Sequence, residues 1–186
     1  MSNRAQTGNV RISGGDARGI KLRVPKGARP ASERVRLAIF SSIASHIPDA
    51  HVLDLYCGSG AYGLEALSRG ASSGVFVDED GAALAACKAN AAAIGFSRQV
   101  RVRRSSVERY VERCEDGPFD LVFIDPPYRS RPLLHHLERV LARDGLVVLE
   151  TRWRHEAPPE LGGLVVAADR RYGDTRVLIF SRTGAR

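Results

Sequence analysis

Short apolar runs and amphipathic stretches alternate along the chain from residue 50 onward. The apolar runs predict strands over 52–56, 74–78, 100–102, 119–125 and 145–151. The stretches between them predict helices over 61–69, about 80–94, 106–114 and 131–143. Strands that are apolar nearly throughout, with helices between them, are typical of a parallel sheet that is covered on both faces.

The C-terminal stretch LVVAADRRYGDTRVLIFS (164–181) departs from this alternation, because its two apolar runs are joined with no room for a helix. It predicts an antiparallel hairpin that closes the sheet edge. We therefore expect an α/β, Rossmann-like fold with a mainly parallel seven-stranded sheet and a reversed C-terminal strand. Ligands of such doubly wound sheets bind at the carboxyl ends of the strands.

The N-terminal segment follows a period of two instead. On either side of a Gly-Gly-Asp turn, apolar Val10, Ile12, Ile20, Leu22 and Val24 alternate with basic Arg11, Lys21 and Arg23. This pattern predicts a β-hairpin with one apolar and one basic face. After two prolines, Ser32 can cap a helix from about Glu33 to His46. We assign residues 1–30 to a basic hairpin arm and residues 31–186 to the α/β domain.

The positive charge of the chain is concentrated in its first 36 residues. The whole chain has a net charge of +7, and residues 1–36 hold seven Arg and two Lys against Asp16 and Glu33, which is also +7. Such asymmetry is typical of a segment that binds a polyanion, although a solvated tail would share it. The candidate contacts are Arg4, Arg11, Arg18, Lys21, Arg23, Lys26, Arg29, Arg34 and Arg36.

Composition excludes several other classes. The length of 186 residues suits one domain, and 44% hydrophobic residues are typical of a globular chain. No run approaches a membrane span, and the first residues contain no apolar signal core, so we expect a cytoplasmic protein without membrane contact. The three cysteines, Cys57, Cys87 and Cys114, form no CxxC pair, so we expect neither a disulfide framework nor a metal site.

A glycine loop follows the first strand of the α/β domain. Gly58, Gly60 and Gly63 match the dinucleotide pattern G-x-G-x-x-G, which alone is a weak signal. Asp54 precedes them, and a carboxylate suits the ammonium of S-adenosylmethionine better than a pyrophosphate. The alternative is that Asp54 only caps loop amides. The predicted cofactor contacts in this loop are Asp54, Tyr56, Cys57, Gly58 and Gly60, with Gly63 as a close helix–sheet contact.

The next two units supply the remaining cofactor candidates. Asp78 ends the second strand, where a carboxylate can accept both ribose hydroxyls of an adenosine. Glu79 follows it and is a further candidate, although Glu79 and Asp80 can cap the next helix instead. Ser106 and the Val107 amide lie where a loop would meet the adenine ring. Side-chain recognition of adenine by Ser106 is left open.

The sequence Asp125-Pro126-Pro127-Tyr128 follows the most apolar strand and carries the candidate catalytic chemistry. Two consecutive prolines fix a rigid extended turn. This turn presents the Asp125 carboxylate and the Pro126 carbonyl as acceptors for the N–H groups of an exocyclic amine. Such acceptors free the nitrogen lone pair and stabilise the charge that develops during methyl transfer, while the Tyr128 ring can stack on the base.

These motifs together resemble a known family. VLDLYCGSGAYGLEALSRGA, VFVDED and FIDPPY look like a class I S-adenosylmethionine-dependent methyltransferase that acts on an amino group. RISGGDARGIKLRVPKGARPASERVRLAIFSSI and RRYGDTRVLIFSR resemble the bacterial guanine-N2 methyltransferases of small-subunit ribosomal RNA. The resemblance implies methylation of N2 of one guanine in 16S ribosomal RNA, within the small subunit or its assembly intermediate. It also implies Asp125 to Tyr128 as the catalytic tetrad, residues 31–186 as the methyltransferase domain and residues 1–36 as RNA-binding.

Three other functions would account for part of the sequence. An NAD-dependent oxidoreductase would explain the glycines but would leave Asp54 and the Asp-Pro-Pro-Tyr turn without a role. An amino-methyltransferase of DNA, another RNA or a protein side chain would share the tetrad. A non-catalytic RNA-binding protein does not need an intact tetrad. For Trp153, which lies between Arg152 and Arg154, we prefer packing under the C-terminal hairpin to stacking on RNA. We expect a monomer.

Overall fold

The computed structural model describes residues 10–25, 32–127, 136–155 and 160–182. Within these residues the strands are β1 (Val10–Arg11), β2 (Lys21–Leu22), β3 (His51–Leu55), β4 (Ser73–Asp78), β5 (Val100–Arg104), β6 (Phe119–Ile124), β7 (Leu141–Arg152), β8 (Glu160–Leu161), β9 (Leu164–Tyr172) and β10 (Thr175–Ser181). Its α-helices are α1 (Glu33–Ser42), α2 (Ala61–Ser68), α3 (Gly81–Ala93), α4 (Val107–Glu112) and α5 (Leu137–Val140). A 3-10 turn over Ala44–His46 follows α1.

The main sheet has the order β5-β4-β3-β6-β7-β10-β9-β8 within the described part of the chain. Strands β5, β4, β3, β6 and β7 pair in parallel, and β10 is antiparallel to both neighbours. This arrangement confirms the expected doubly wound sheet with a reversed C-terminal strand. The two-residue strand β8 adds an edge that the seven-strand expectation did not include.

Two hydrophobic layers cover the sheet. One layer joins the sheet to the N-terminal hairpin, α1, α2 and α3 through residues such as Ile39, Leu64 and Leu84. The other joins it to α4 and α5 through residues such as Val107 and Leu137. The parallel strands are therefore buried on both faces, which is why their sequences are apolar nearly throughout. Within the described residues no helix has the length and apolar character needed to cross a membrane.

The N-terminal hairpin formed by β1 and β2 has the expected two faces, except that Ile20, which was assigned to the apolar face, is 38% exposed. Val10, Ile12, Leu22 and Val24 are buried, whereas the basic side chains between them are exposed. The apolar face belongs to the same core as α1, α2 and α3. The described part of the predicted arm is therefore not a separable unit, because its removal would uncover that core. Ser32 occupies the N-cap position of α1, but its side chain makes no capping hydrogen bond.

One predicted helix boundary is wrong. The sequence predicted a helix over 131–143, but α5 ends at Val140 and β7 begins at Leu141. Leu141 pairs with Phe119, and a register irregularity separates this pair from the Leu121–Leu146 pair. Gly145 permits this, because a Cβ there would come within 3.0 Å of the Asp120 carbonyl oxygen. Residues 131–135 lie outside the described residues.

Candidate active site

Three of the predicted site segments meet at one edge of the sheet. The parallel register aligns Leu55 with Val77 and with Ile124, and Ile124 with Leu149. The residues immediately beyond these pairs are Tyr56, Asp78, Asp125 and Glu150. The glycine loop, the end of β4 and the Asp-Pro-Pro turn therefore lie side by side at the carboxyl edge, where doubly wound sheets bind ligands.

The glycine loop leaves β3 in a conformation that favours glycine. Gly58 has a φ of +53°, and Tyr56 and Gly60 also have positive φ values. A Cβ built on Gly58 meets nothing within 4 Å, so the backbone faces open space there. The Cys57 amide anchors the loop by donating to the Val77 carbonyl at 3.1 Å. This geometry lets a ligand approach the loop backbone closely, as the sequence predicted for the cofactor.

Asp54 lies beneath the loop and is almost fully buried. Its Oδ2 accepts a hydrogen bond from the Gly63 amide at 2.9 Å. The pKa of Asp54 is raised to about 8, mainly by burial. The hydrogen bond from Gly63 partly offsets this increase, and the charge of Asp78 adds to it. A Cβ on Gly63 would come within 2.4 Å of the Phe76 ring, so Gly63 is the expected close helix–sheet contact. Asp54 thus caps one helix amide and keeps a carboxyl group that a cation would stabilise.

Asp78 is half-buried and ties two backbone segments together. Its Oδ2 accepts from the Gly58 amide at 2.9 Å, and its Oδ1 accepts from the Asp80 amide at 2.9 Å. Asp80 caps α3 by accepting from the Ala82 amide, as one alternative predicted, whereas Glu79 is exposed. These bonds hold the Asp78 carboxylate against the loop that contains Gly58.

The third loop lies beside Asp78, because the Ser105 amide donates to the Asp78 carbonyl at 3.2 Å. The Ser106 hydroxyl caps α4 by accepting from the Arg109 amide at 3.3 Å. Val107 is buried. The capping bond is a structural role that the sequence analysis had not assigned to Ser106.

The side chains of Tyr56 and Cys57 in the glycine loop both interact with other residues of the protein. The Tyr56 hydroxyl donates to Glu108 Oε1 at 3.2 Å, and burial together with the Glu108 charge raises the Tyr56 pKa. Cys57 is buried. Its pKa lies well above the usual range because of the Cys87 thiol beside it and because of burial. Cys57 therefore presents its backbone to the loop, and its thiol is not activated as a nucleophile.

The Asp125-Pro126-Pro127 turn borders a buried polar group that was not among the predicted site residues. Asp125 and Pro126 are half-buried and Pro127 is exposed, while Tyr128 lies outside the described residues. In the buried layer nearby, the Tyr62 hydroxyl donates to Glu150. Burial raises the Tyr62 pKa, and the charges of Glu150 and Asp125 raise it further. The sequence contained a signal for Glu150, because Glu150 directly follows the apolar run 146–149 just as Asp125 directly follows β6.

Five of the candidate RNA contacts are exposed: Arg11, Arg18, Lys21, Arg23 and Arg34. Arg4, Lys26 and Arg29 lie outside the described residues. Arg36 was wrongly included in this set, because its side chain is 1% exposed and forms an ion pair with buried Glu65 at 3.5 Å. It also donates to the Arg11 carbonyl. Arg36 therefore joins α1, α2 and the hairpin.

Buried polar residues connect the hairpin to the glycine loop. Asn90 on α3 accepts from the Arg23 amide at 2.8 Å and donates to the Arg23 and Ser59 carbonyls at 2.9 Å each. Glu65 on α2 accepts from the Ser13 amide and hydroxyl at 2.8 and 2.6 Å. The exposed basic face is thereby held in a fixed position relative to the loop.

Comparison with known proteins decides the family. A family model described as "Conserved hypothetical protein 95" matches residues 10–181. The chain belongs to this family. The chain is also 37% identical to "Ribosomal RNA small subunit methyltransferase D" of Escherichia coli K12 over 169 residues. The matched region covers 90% of this chain and 84% of that protein.

Two further comparisons agree with this assignment. The chain is 32% identical over 184 residues to "Putative rRNA methyltransferase YlbH" of Bacillus subtilis 168, covering 94% of this chain and 100% of that protein. The solved structure of "Putative methyltransferase yhhF" from Escherichia coli superposes with a TM-score of 0.79 and 32% identity, covering 96% of this chain and all of the other. The family resemblance and the fold class expected from the sequence are confirmed.

Proposed function

We propose that the protein transfers a methyl group from S-adenosylmethionine to the exocyclic N2 of one guanine in 16S ribosomal RNA of the small ribosomal subunit. The observation that carries the proposal is the position of the Asp125-Pro126-Pro127 turn. It lies at the carboxyl end of β6, next to the glycine loop that follows β3, and Asp78 lies on the other side of that loop at the end of β4. The relatives named as methyltransferases of small-subunit ribosomal RNA support the substrate class.

The amine is activated by acceptors that the turn holds in place. The Asp125 carboxylate and the Pro126 carbonyl accept the two N–H groups of the guanine N2, so the nitrogen lone pair is released from the ring. Both acceptors also stabilise the positive charge that develops on nitrogen. As the bond between the methyl carbon and nitrogen forms, the bond between the methyl carbon and sulfur breaks with its electrons left on sulfur, and the Asp125 carboxylate takes the proton that the nitrogen loses. Tyr128 stacks on the base and aligns the amine with the methyl group. When bound, the cofactor supplies an electrophilic methyl group on a sulfonium.

The residues around the loop fit this cofactor. Gly58 faces open space at the loop backbone, and the buried Asp54 carboxyl group suits the ammonium of the amino-acid end. Asp78 accepts the ribose hydroxyls, and the loop at Ser106 and Val107 borders the adenine. The exposed neighbour Glu79 and the loop residues Tyr56, Cys57 and Gly60 complete the proposed cofactor contacts.

The basic face of the hairpin provides the proposed RNA contacts. Arg11, Lys21 and Arg23 are exposed beside one another on this face, and α1 adds Arg34. Arginine binds phosphate bidentately, which suits a ribosomal substrate. The anchoring of Arg23 through Asn90 to Ser59 links this surface to the cofactor loop. Arg18 and the residues outside the description, Arg4, Lys26 and Arg29, extend the proposed set.

A single-turnover assay tests the mechanism. Asp125→Ala should lower the rate of methyl transfer to small subunits by about 100- to 1,000-fold, because one preorganised acceptor is lost. Its affinity for S-adenosylmethionine should stay close to that of the wild type. The matched control is Asp144→Ala, an exposed carboxylate that follows α5 and lies away from the carboxyl edge. An Asp125→Ala rate equal to that of the control would refute the proposed mechanism.

A further inference from the structure

Trp153 is an unusually exposed aromatic residue at the end of β7. Its side chain is 37% exposed, whereas the packing role expected from the sequence would have buried it. Its amide is fixed by a hydrogen bond to the Asp174 carbonyl at 2.8 Å, so the backbone position is well defined. The guanidinium carbons of Arg171 and Arg176 both lie 4.8 Å from the centre of its ring system.

Arg171 and Arg176 carry like charges at directly opposed positions of the β9–β10 hairpin. Such pairs destabilise a sheet unless the charge is compensated. Asp169 compensates Arg176, because both oxygens accept from it, at 2.9 and 2.5 Å. Among the described residues, no carboxylate lies within ion-pair distance of Arg171, whose Nε donates to the Gly173 carbonyl at 2.9 Å. Within the described part of the chain, the Arg171 guanidinium thus has no carboxylate partner, and it packs against an aromatic ring.

This surface lies at the same sheet edge as the catalytic turn. Arg152, the last residue of β7, pairs with Thr175 at the start of β10, and β7 is the direct neighbour of β6. Trp153 therefore follows the strand next to the one that presents Asp125. Arg154 is exposed directly after Trp153 in the chain and extends the positive charge. The N-terminal hairpin, by contrast, packs on α2 and α3.

We infer that Trp153 and Arg171, with Arg154, form a second contact surface for the RNA substrate, separate from the N-terminal hairpin. The inference rests on the proposed function. The Arg171 guanidinium binds a backbone phosphate, and the indole limits its motion so that little side-chain entropy is lost on binding. The exposed part of the indole offers a base an apolar contact. RNA held at both surfaces would place the target guanine at the turn between them.

The first test compares Arg171→Ala with Arg98→Ala, an exposed arginine before β5 at the opposite edge of the sheet. In steady-state methylation of small subunits, Arg171→Ala should raise KM by about 3- to 10-fold, as expected for the net contribution of one lost hydrogen bond at an exposed site. Its kcat and its affinity for S-adenosylmethionine should match those of Arg98→Ala. Trp153→Leu should raise KM in the same direction, because the guanidinium loses its support.

The second test measures binding to protein-free 16S ribosomal RNA as a function of salt. The log–log slope of Arg171→Ala should be flatter than that of Arg98→Ala by about 0.7–0.9, which corresponds to one lost phosphate contact. Equal KM values and equal slopes for the two variants would overturn the inference. A KM change on subunits without a slope change on free RNA would also overturn it, because the contact would then be a ribosomal protein. If the wild type transfers no methyl group to small subunits, the proposed function itself fails.

Discussion

Cofactor binding should release a proton from Asp54. Burial raises the pKa of this carboxyl group to about 8. At pH 7, about 0.9 of the molecules therefore carry the Asp54 proton before the cofactor binds. An ammonium placed against the carboxyl group favours its ionised form and lowers its pKa. We expect a release of up to about 0.9 proton per bound cofactor at pH 7, and up to about 0.5 at pH 8.

The same linkage gives the affinity a defined pH dependence. The free protein holds the proton below pH 8, and the bound protein has lost it, so raising the pH favours the bound state. Between pH 6 and 7, the affinity for S-adenosylmethionine should rise by close to tenfold per pH unit. An α-amino group titrates near pH 8, so the cofactor's ammonium keeps most of its charge over this range and its titration does not mask the trend.

Calorimetric titration in buffers with different ionisation enthalpies measures the released protons directly. Asp54→Asn keeps the size of the side chain and an acceptor oxygen for the Gly63 amide, but it holds no titrating proton. Its binding heat should be independent of the buffer and its affinity independent of pH. Asp144→Asn, at an exposed position, should behave like the wild type. Buffer-independent heats and a flat affinity for the wild type would refute a cation at Asp54.

Three substitutions test the framework of the site. Glu65→Ala removes the partner of the buried Arg36 charge and of Ser13, so the free energy of unfolding measured in urea should fall by about 3–5 kcal/mol. A fall of less than about 1 kcal/mol would contradict this role of Glu65. Asp78→Ala should weaken S-adenosylmethionine binding by about 1.5–3 kcal/mol for each lost hydrogen bond, and unchanged affinity of a folded variant in calorimetry would remove Asp78 from the ribose site. Gly63→Ala forces a methyl group to within 2.4 Å of the Phe76 ring and should lower thermal stability by about 1–3 kcal/mol, whereas an unchanged melting temperature would argue against a tight contact.

The parallel sheet and the position of the site were predictable from sequence for a physical reason. Strands buried on both faces must be apolar nearly throughout, and β3, β4 and β6 all follow this pattern. Their last residues must then meet at one edge, because parallel register aligns them. Polar or rigid residues directly after such strands, including Asp78 and the Asp-Pro-Pro turn, therefore identify the site without knowledge of any contact.

The buried polar partners were not predictable in the same way. Arg36 was grouped with the basic segment, although it lies on one helical stripe with Phe40 and Ile43, at the spacing i, i+4 and i+7. That spacing indicates that the Arg36 side chain is buried. The ion-pair partner of Arg36, Glu65, lies on another helix, and no local sequence pattern connects the two residues. The bridge from Asn90 to the Ser59 carbonyl likewise depends on how α3 packs against the loop.

The role of the hairpin shows a similar limit. Alternation correctly predicted its two faces, and charge correctly predicted that the basic one is exposed. Composition alone could not tell that Ile12 and Leu22 complete the core above α2 and α3. The two arginines that lie over the Trp153 ring, Arg171 and Arg176, come from the later β9–β10 hairpin, so this cluster depends on tertiary structure.

The most direct test of the account is to identify the nucleoside that the protein modifies. Small ribosomal subunits from cells that lack the protein are incubated with it and with S-adenosylmethionine labelled in the methyl group. Their 16S ribosomal RNA is then digested and the labelled nucleoside is identified. The account predicts one N2-methylguanosine per subunit, and no label with Asp125→Ala. Label in another nucleoside or in ribosomal protein, or wild-type labelling by Asp125→Ala, would contradict it.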